Sequence, residues 1–148
     1  MERFVTTAAI VLAVLLRSGA AFAGEFGTAE EARAMLDRAV AELKRDKDAA
    51  IARFNRADGG FRDRDLYVFC ATPDGKTVAH PTNIGTNLRQ LKDKRGMPFG
   101  AAMFEVAEDG KVSEVTYMWP KPGSDVPVEK ITYVTRAADL VCGVGYYK

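Results

Sequence analysis

Tyr117, Trp119 and Lys130 are the residues of this 148-residue chain whose types and spacing best suit chemistry. They stand in two runs, Tyr117-Met118-Trp119-Pro120-Lys121-Pro122-Gly123 and Lys130-Ile131-Thr132-Tyr133-Val134, which read as two strands joined by a Pro/Gly turn. Alternation sets Val115, Tyr117 and Trp119 on one face of the first strand, and Lys130, Thr132, Val134 and Arg136 on one face of the second. Paired antiparallel, the strands bring the rings close to the lysine. An ammonium at the edge of buried aromatic surface is costly unless it meets an anion. A small carboxylate would satisfy it, with tyrosine hydroxyls and the indole N–H as further donors. That chemistry is binding of a small anion. The competing reading is a solvated strand-end lysine beside core aromatics.

The other reactive types are few. His80 is the only histidine and stands just before Pro81, either as a structural hydrogen-bonding residue or as a polar pocket group. No cluster of ligands at metal spacing accompanies it, and no serine or cysteine motif supplies a nucleophile. Asp58 to Asp65 lacks the acidic spacing and terminal glutamate of a calcium loop. Gly143 and Gly145 alternate in a strand-like segment and belong to no phosphate-binding fingerprint, so they point to a helix or ligand approaching closely. An enzyme is therefore not expected, nor a metal or cofactor. Cys70 and Cys142 are an even pair, and C-x-x-C-H is absent, so covalent haem is excluded. In an exported chain the pair favours a disulfide; two buried free thiols are the alternative.

Export is what the N-terminus implies. Arg3 supplies a positive start, Val5 to Leu16 is apolar but short, and Ala21-Phe22-Ala23 has small residues where a signal peptidase reads them. Residues 1–23 are expected to be a cleaved signal peptide, cut after Ala23, with an uncleaved anchor as the alternative. The product is a periplasmic or secreted single domain, residues 24–148. Losing Glu2, Arg3 and Arg17 from 21 basic and 20 acidic residues leaves the rest formally neutral. Neutrality argues against nucleic acid as a partner and against polybasic docking to membranes. The sequence shows no later apolar span, so the domain is expected to work alone or with a separate partner.

The elements that must position these groups follow from periodicity. Thr28 is a plausible N-cap with Glu30 and Glu31 behind it. Ala32, Met35, Leu36, Ala39, Val40, Leu43, Ile51 and Phe54 then recur at helical spacing. This predicts a helix of about thirty residues, bent near Asp46 and ending before Asp58-Gly59-Gly60. Leu66 to Cys70 and Thr77 to His80 read as strands around the Pro73-Asp74-Gly75 turn. Short helical patterns follow within Asn83 to Leu91 and from Phe99 to Val106, and then three strands: Val112 to Trp119, Lys130 to Arg136 and Leu140 to Tyr147. The economical packing is α+β, a helix layer on an antiparallel sheet. The long helix could alternatively form a homodimer.

The succession Asp65-Leu66-Tyr67-Val68-Phe69, Asp74-Gly75, Ala79-His80-Pro81, Gly85-Thr86-Asn87-Leu88, Phe99, Tyr117-Met118-Trp119-Pro120, Lys130, Tyr133-Val134 and Gly143-Val144-Gly145-Tyr146-Tyr147 resembles the single Cache domain family. The resemblance spans nearly all of residues 24–148. It implies a PAS-like five-stranded antiparallel sheet, a long N-terminal helix packed on it, and short helices inserted between the second and third strands. It further implies extracytoplasmic sensing of small molecules, often short-chain carboxylates, rather than catalysis. In the family's strand order, 2-1-5-4-3, the first and last strands are neighbours, so Cys70 and Cys142 would lie close enough to bond. The implied ligand site lies under the inserted helices and draws on Tyr67, Phe69, His80, Phe99, Tyr117, Trp119, Lys130 and Tyr133. Lys130 would anchor a carboxylate, Tyr117 and Tyr133 would donate hydroxyls, and Trp119 and Phe99 would form walls. Alternation opposes Tyr133 to Lys130, so the two cannot both face the site from a regular strand. The expected partners are a small organic acid or similar metabolite and a separate membrane sensor. The competing class is a structural or protein-interaction module whose pocket takes no ligand.

Overall fold

The computed structural model describes residues 24–148; the expected signal peptide, residues 1–23, lies outside the described residues. Thr28 caps the first helix as its sequence suggests. Its side chain accepts the Glu31 N–H, and the Glu31 carboxylate accepts the Thr28 N–H in return. Helix α1 (Ala29–Arg45) buries Ala32, Met35, Leu36, Ala39 and Leu43 along one stripe. The expected bend is a full break at one residue. Asp46 has extended backbone, φ −158°, which ends α1, and its side chain accepts the Ala49 N–H to start α2 (Lys47–Arg56). Ala57 closes α2 in the left-handed conformation, just ahead of Gly59 and Gly60.

The sheet is built from β1 (Arg62–Asp63), β2 (Leu66–Ala71), β3 (Thr77–Ala79), β4 (Ser113–Pro120), β5 (Pro127–Ala137) and β6 (Leu140–Tyr147). Strands β3, β2, β6, β5 and β4 are neighbours in that order, and every pairing is antiparallel. This is the expected five-stranded α+β arrangement. The two-residue β1, which also pairs β2, adds a sixth strand; two residues are too few to show a period in sequence. A 3₁₀ turn (Leu88–Gln90) and α3 (Phe99–Val106) are the short helices inserted between β3 and β4.

Alternation divides the sheet cleanly. Leu66, Val68 and Cys70 of β2 join Leu140, Cys142 and Val144 of β6 in one core with α1 and α2. Phe69, Val115, Tyr117, Val134 and Val141 point the other way and pack against Leu88, Phe99, Met103 and Phe104. Two layers of helix therefore sandwich one sheet. The apolar stripe of α1, which the sequence also offered as a dimer surface, is packed on the sheet.

Two local devices hold the α3 side in place. A Cβ on Gly100 would come within 1.8 Å of the Leu88 carbonyl oxygen, so only glycine lets α3 lie this close to the 3₁₀ turn. The buried Asp93 carboxylate accepts the N–H groups of Arg95 and Met97 within its own loop and that of Met118 on β4. Those bonds, the one from Met118 foremost, hold its pKa below the usual carboxylate value. Asp93 thereby ties the inserted segment to the strand that carries Tyr117 and Trp119.

Cys70 and Cys142 are direct partners in the β2–β6 register and are joined by a disulfide, with Cα atoms 4.1 Å apart. The bond lies on the helix-facing side and closes a span of 72 residues. Loop-closure entropy for a span of that size is worth about 4 kcal/mol. Replacing both cysteines by alanine is expected to lower the unfolding free energy by an amount of that order, read as a fall in the denaturant midpoint. A midpoint unchanged within error would mean that the sheet needs no crosslink.

Candidate functional site

Lys130 comes from β5, between the two strands that flank it, opposite Tyr147 on β6 and Tyr117 on β4. Its side chain has room because position 145 is glycine. A Cβ there would lie 2.6 Å from Lys130 Cε and 2.6 Å from Thr132 Oγ1. The close approach expected at the alternating glycines is thus made by neighbouring side chains, Lys130 at Gly145 and Phe69 at Gly143. The residue is 3% exposed. Its Nζ sits 5.0 Å from the centre of the Tyr67 ring and 4.9 Å from that of Tyr147. Among the described residues no carboxylate is within ion-pair distance of it, and no hydrogen-bond acceptor is in reach. Burial pulls its pKa down to about 8 against a smaller upward pull from Asp65.

The lysine faces an inner cavity between the sheet and the inserted helices. Tyr67, Phe69, Tyr117, Trp119 and Thr132 supply its floor, Leu88, Leu91, Phe99 and Met103 its roof, and His80, Asn83 and Thr86 one side. Counted over positions the centre of a water can take, its volume is about 40 Å³. One water needs roughly 10–15 Å³ by that measure, so the cavity admits a group of a few heavy atoms. A larger outer chamber, about 430 Å³ on the same count, shares Tyr67, His80, Asn83, Trp119 and Lys130 with it. Asp65, Arg62, Arg64 and Tyr147 belong to the outer wall.

The aromatic wall is ordered by packing. Phe99 of α3 stacks on Tyr117 at 4.1 Å and meets Trp119 edge-on at 5.5 Å. The Tyr117 hydroxyl is 3.1 Å from Thr132 Oγ1 and is buried with it. Burial pushes the phenol's pKa well above the usual value. Its expected role as a free hydroxyl donor is therefore partly spent inside the protein. The Tyr147 hydroxyl donates to the Pro120 carbonyl at 2.7 Å, which closes the end of the Trp-Pro strand over β6.

His80 turns out to do both of the jobs left open for it. Nδ1 accepts the N–H groups of Thr82 and Asn83, at 3.0 and 3.1 Å, and shapes the loop after β3. Two donors on Nδ1 put the ring proton on Nε2. Burial first, then the charges of Lys130 and Arg62, hold its pKa down at about 4. A neutral imidazole with an N–H donor thus borders the same cavity as the lysine.

Seven of the eight expected residues meet around this space: Tyr67, Phe69, His80, Phe99, Tyr117, Trp119 and Lys130. Tyr133 does not. It lies on the helix-facing side, tilted against Tyr146 at 5.6 Å, because adjacent residues of β5 face opposite ways. Asp65, Thr132 and Tyr147 also border the site. The alternation that pairs Thr132 with Lys130, and Tyr147 with Gly145, was the signal available for two of them.

A family model, that of the single Cache domain 2, matches residues 18–147. The chain belongs to the single Cache domain family. A curated relative, the methyl-accepting chemotaxis protein McpP of Pseudomonas putida, is 29% identical over 90 residues, covering 57% of this chain and 16% of that protein. The match thus spans about a sixth of the relative's length. A crystal structure of a methyl-accepting chemotaxis protein from Vibrio parahaemolyticus superposes with a TM-score of 0.64 at 24% identity, over 80% of this chain and 86% of that one. A Cache chemosensory domain described for its carboxylic acid recognition superposes with a TM-score of 0.58 at 23% identity, over 80% and 86%. These structures share the Cache fold seen here.

In this Cache domain the buried ammonium is a stored cost. Burial lowers the lysine's pKa from 10.5 to about 8, so below pH 8 the folded protein holds the charged form at a cost on the order of 3 kcal/mol relative to the unfolded chain. Between those values the unfolded chain holds more protons, and stability rises with pH. Lys130→Met should therefore melt at a higher temperature than the wild type at pH 7 without ligand. A lower melting temperature would mean the ammonium is satisfied by the protein itself. Gly145→Ala, in turn, should displace the Lys130 stem and lower the melting temperature with the fold retained by circular dichroism; an unchanged melting temperature would show that Lys130 can move aside freely.

Proposed function

We propose that this Cache domain binds a short-chain carboxylate in an extracytoplasmic compartment and reports its presence to a membrane signalling protein. The observation that carries the reading is Lys130, a buried ammonium with no counter-ion among the described residues, bordering a cavity of a few heavy atoms. A ligand carboxylate supplies the missing charge, and its apolar tail suits the Phe99, Met103 and Trp119 surfaces. The His80 Nε2–H and the Tyr67 hydroxyl are the further donors. Tyr67 stays protonated, since burial and the Asp65 charge push its pKa up to about 12.

Two kinds of support stand behind the wider reading. One structural relative is described by its recognition of carboxylic acids, and a curated relative is a chemotaxis receptor. The export leader read in residues 1–23 supports a periplasmic or secreted location. No helix among the described residues is long and apolar enough to cross a membrane.

The test is calorimetric titration of the purified protein with acetate, propionate and butyrate. At least one should bind saturably and raise the melting temperature. Lys130→Ala should weaken it by roughly 100-fold, the value of a buried charge-assisted bond. Affinity should be level from pH 6 to near 8 and then fall about tenfold per unit, because above its own pKa the lysine must first take up a proton. A flat profile up to pH 10, or no binding of any acid, would remove the reading.

A further inference from the structure

A second buried charge stands beside the first and is not joined to it. Asp65, 6% exposed, stands in the turn just before β2, at the wall of the outer chamber that Lys130 also borders. One carboxylate oxygen, Oδ1, accepts the Gly27 N–H at 2.6 Å. The other, Oδ2, is buried with no hydrogen-bond partner among the described residues. The two groups are near enough for Asp65 to act on the lysine electrostatically, yet no ion pair joins them. The neighbouring Arg64 is not its partner either, being engaged by Glu31, Asp63 and the carbonyls of Gly24 and Phe26.

A buried cation and a buried anion held close but apart form a fixed dipole, and an orphaned carboxylate oxygen is a standing cost. The molecule complementary to that dipole carries the opposite charges in the opposite order. We propose that the ligand of this site is a short amino acid, with its carboxylate on Lys130 and its ammonium against Asp65 Oδ2. This rests on the reading that Lys130 holds a carboxylate, and it adds what the far end of the ligand must be. The inner cavity alone takes only a few heavy atoms, while the outer chamber, where Asp65 stands, has ample room for the ammonium-bearing end. A plain fatty acid would leave Oδ2 unpaired and would put a methyl group where a donor belongs.

The experiment is a paired ladder measured by calorimetry on the purified protein. Glycine, β-alanine and 4-aminobutanoate are compared with acetate, propionate and butyrate, and succinate is added as a doubly charged acid. At one chain length or more the amino acid should bind at least about tenfold more tightly than the plain acid of the same length, the value of one charge-assisted hydrogen bond. Asp65→Asn, which keeps an acceptor for the Gly27 N–H, should abolish that preference by loosening the amino acids relative to the plain acids of the same length. The wild-type ladder decides the matter even if that variant does not fold. Plain acids binding as tightly as amino acids at every length, or succinate binding most tightly, would overturn this proposal and leave the carboxylate reading intact. Failure of every compound would overturn both.

Discussion

The site is organised around one ammonium that has no counter-ion among the described residues. Lys130 is drawn out of water between two tyrosine rings, which stabilise a cation through their faces but cannot replace a counter-ion. Around it the protein spends its remaining polar capacity elsewhere. Tyr117 bonds Thr132, Tyr147 bonds Pro120, and His80 bonds its own loop through Nδ1. What is left facing the inner cavity is a positive charge and neutral polar groups. A neutral histidine matters in this setting, because a second cation so close would raise the cost of keeping the lysine charged.

Keeping such a group buried requires a scaffold whose stability comes from somewhere else. The sheet provides it by separating two tasks on its two faces. The side under α1 and α2 is apolar and crosslinked, with Leu66, Val68, Val144 and the Cys70–Cys142 bond close-packed beneath the helices. The other side carries the cavity, roofed by a segment that Asp93 fastens to β4 and that Gly100 allows to pack tightly. The cost of the buried ammonium on the cavity face is thus offset by the core on the opposite face.

Much of this was legible because the period of a strand is two. Alternation alone grouped Tyr117 with Trp119 and Lys130 with Thr132, and both groupings hold on the cavity face. The same rule set Tyr133 against Lys130, and it was Tyr133 that lay on the helix side. Alternation could not say which face would be the cavity; that depends on which helices cover which side. The helix break at Asp46 was visible only as a bend, since one residue serves as end cap and start cap at once. Asp93 and Asp65 were opaque for a different reason. Their roles are set by backbone N–H groups distant in sequence, Met118 and Gly27, and no local pattern announces such a partner.

The disulfide has a mechanical consequence. It couples β2 and β6, adjacent strands in the interior of the sheet, and these same strands carry Tyr67, Phe69, Gly145 and Tyr147 toward the site. The part of the cavity floor built from β2 and β6 is therefore its stiff part. Compliance is left to β4 at the sheet's edge and to the segment packed on it through Asp93 and Phe99. When an occupant demands room, the displacement runs outward to that edge, away from α1, and the crossbar sets the direction in which this domain can yield.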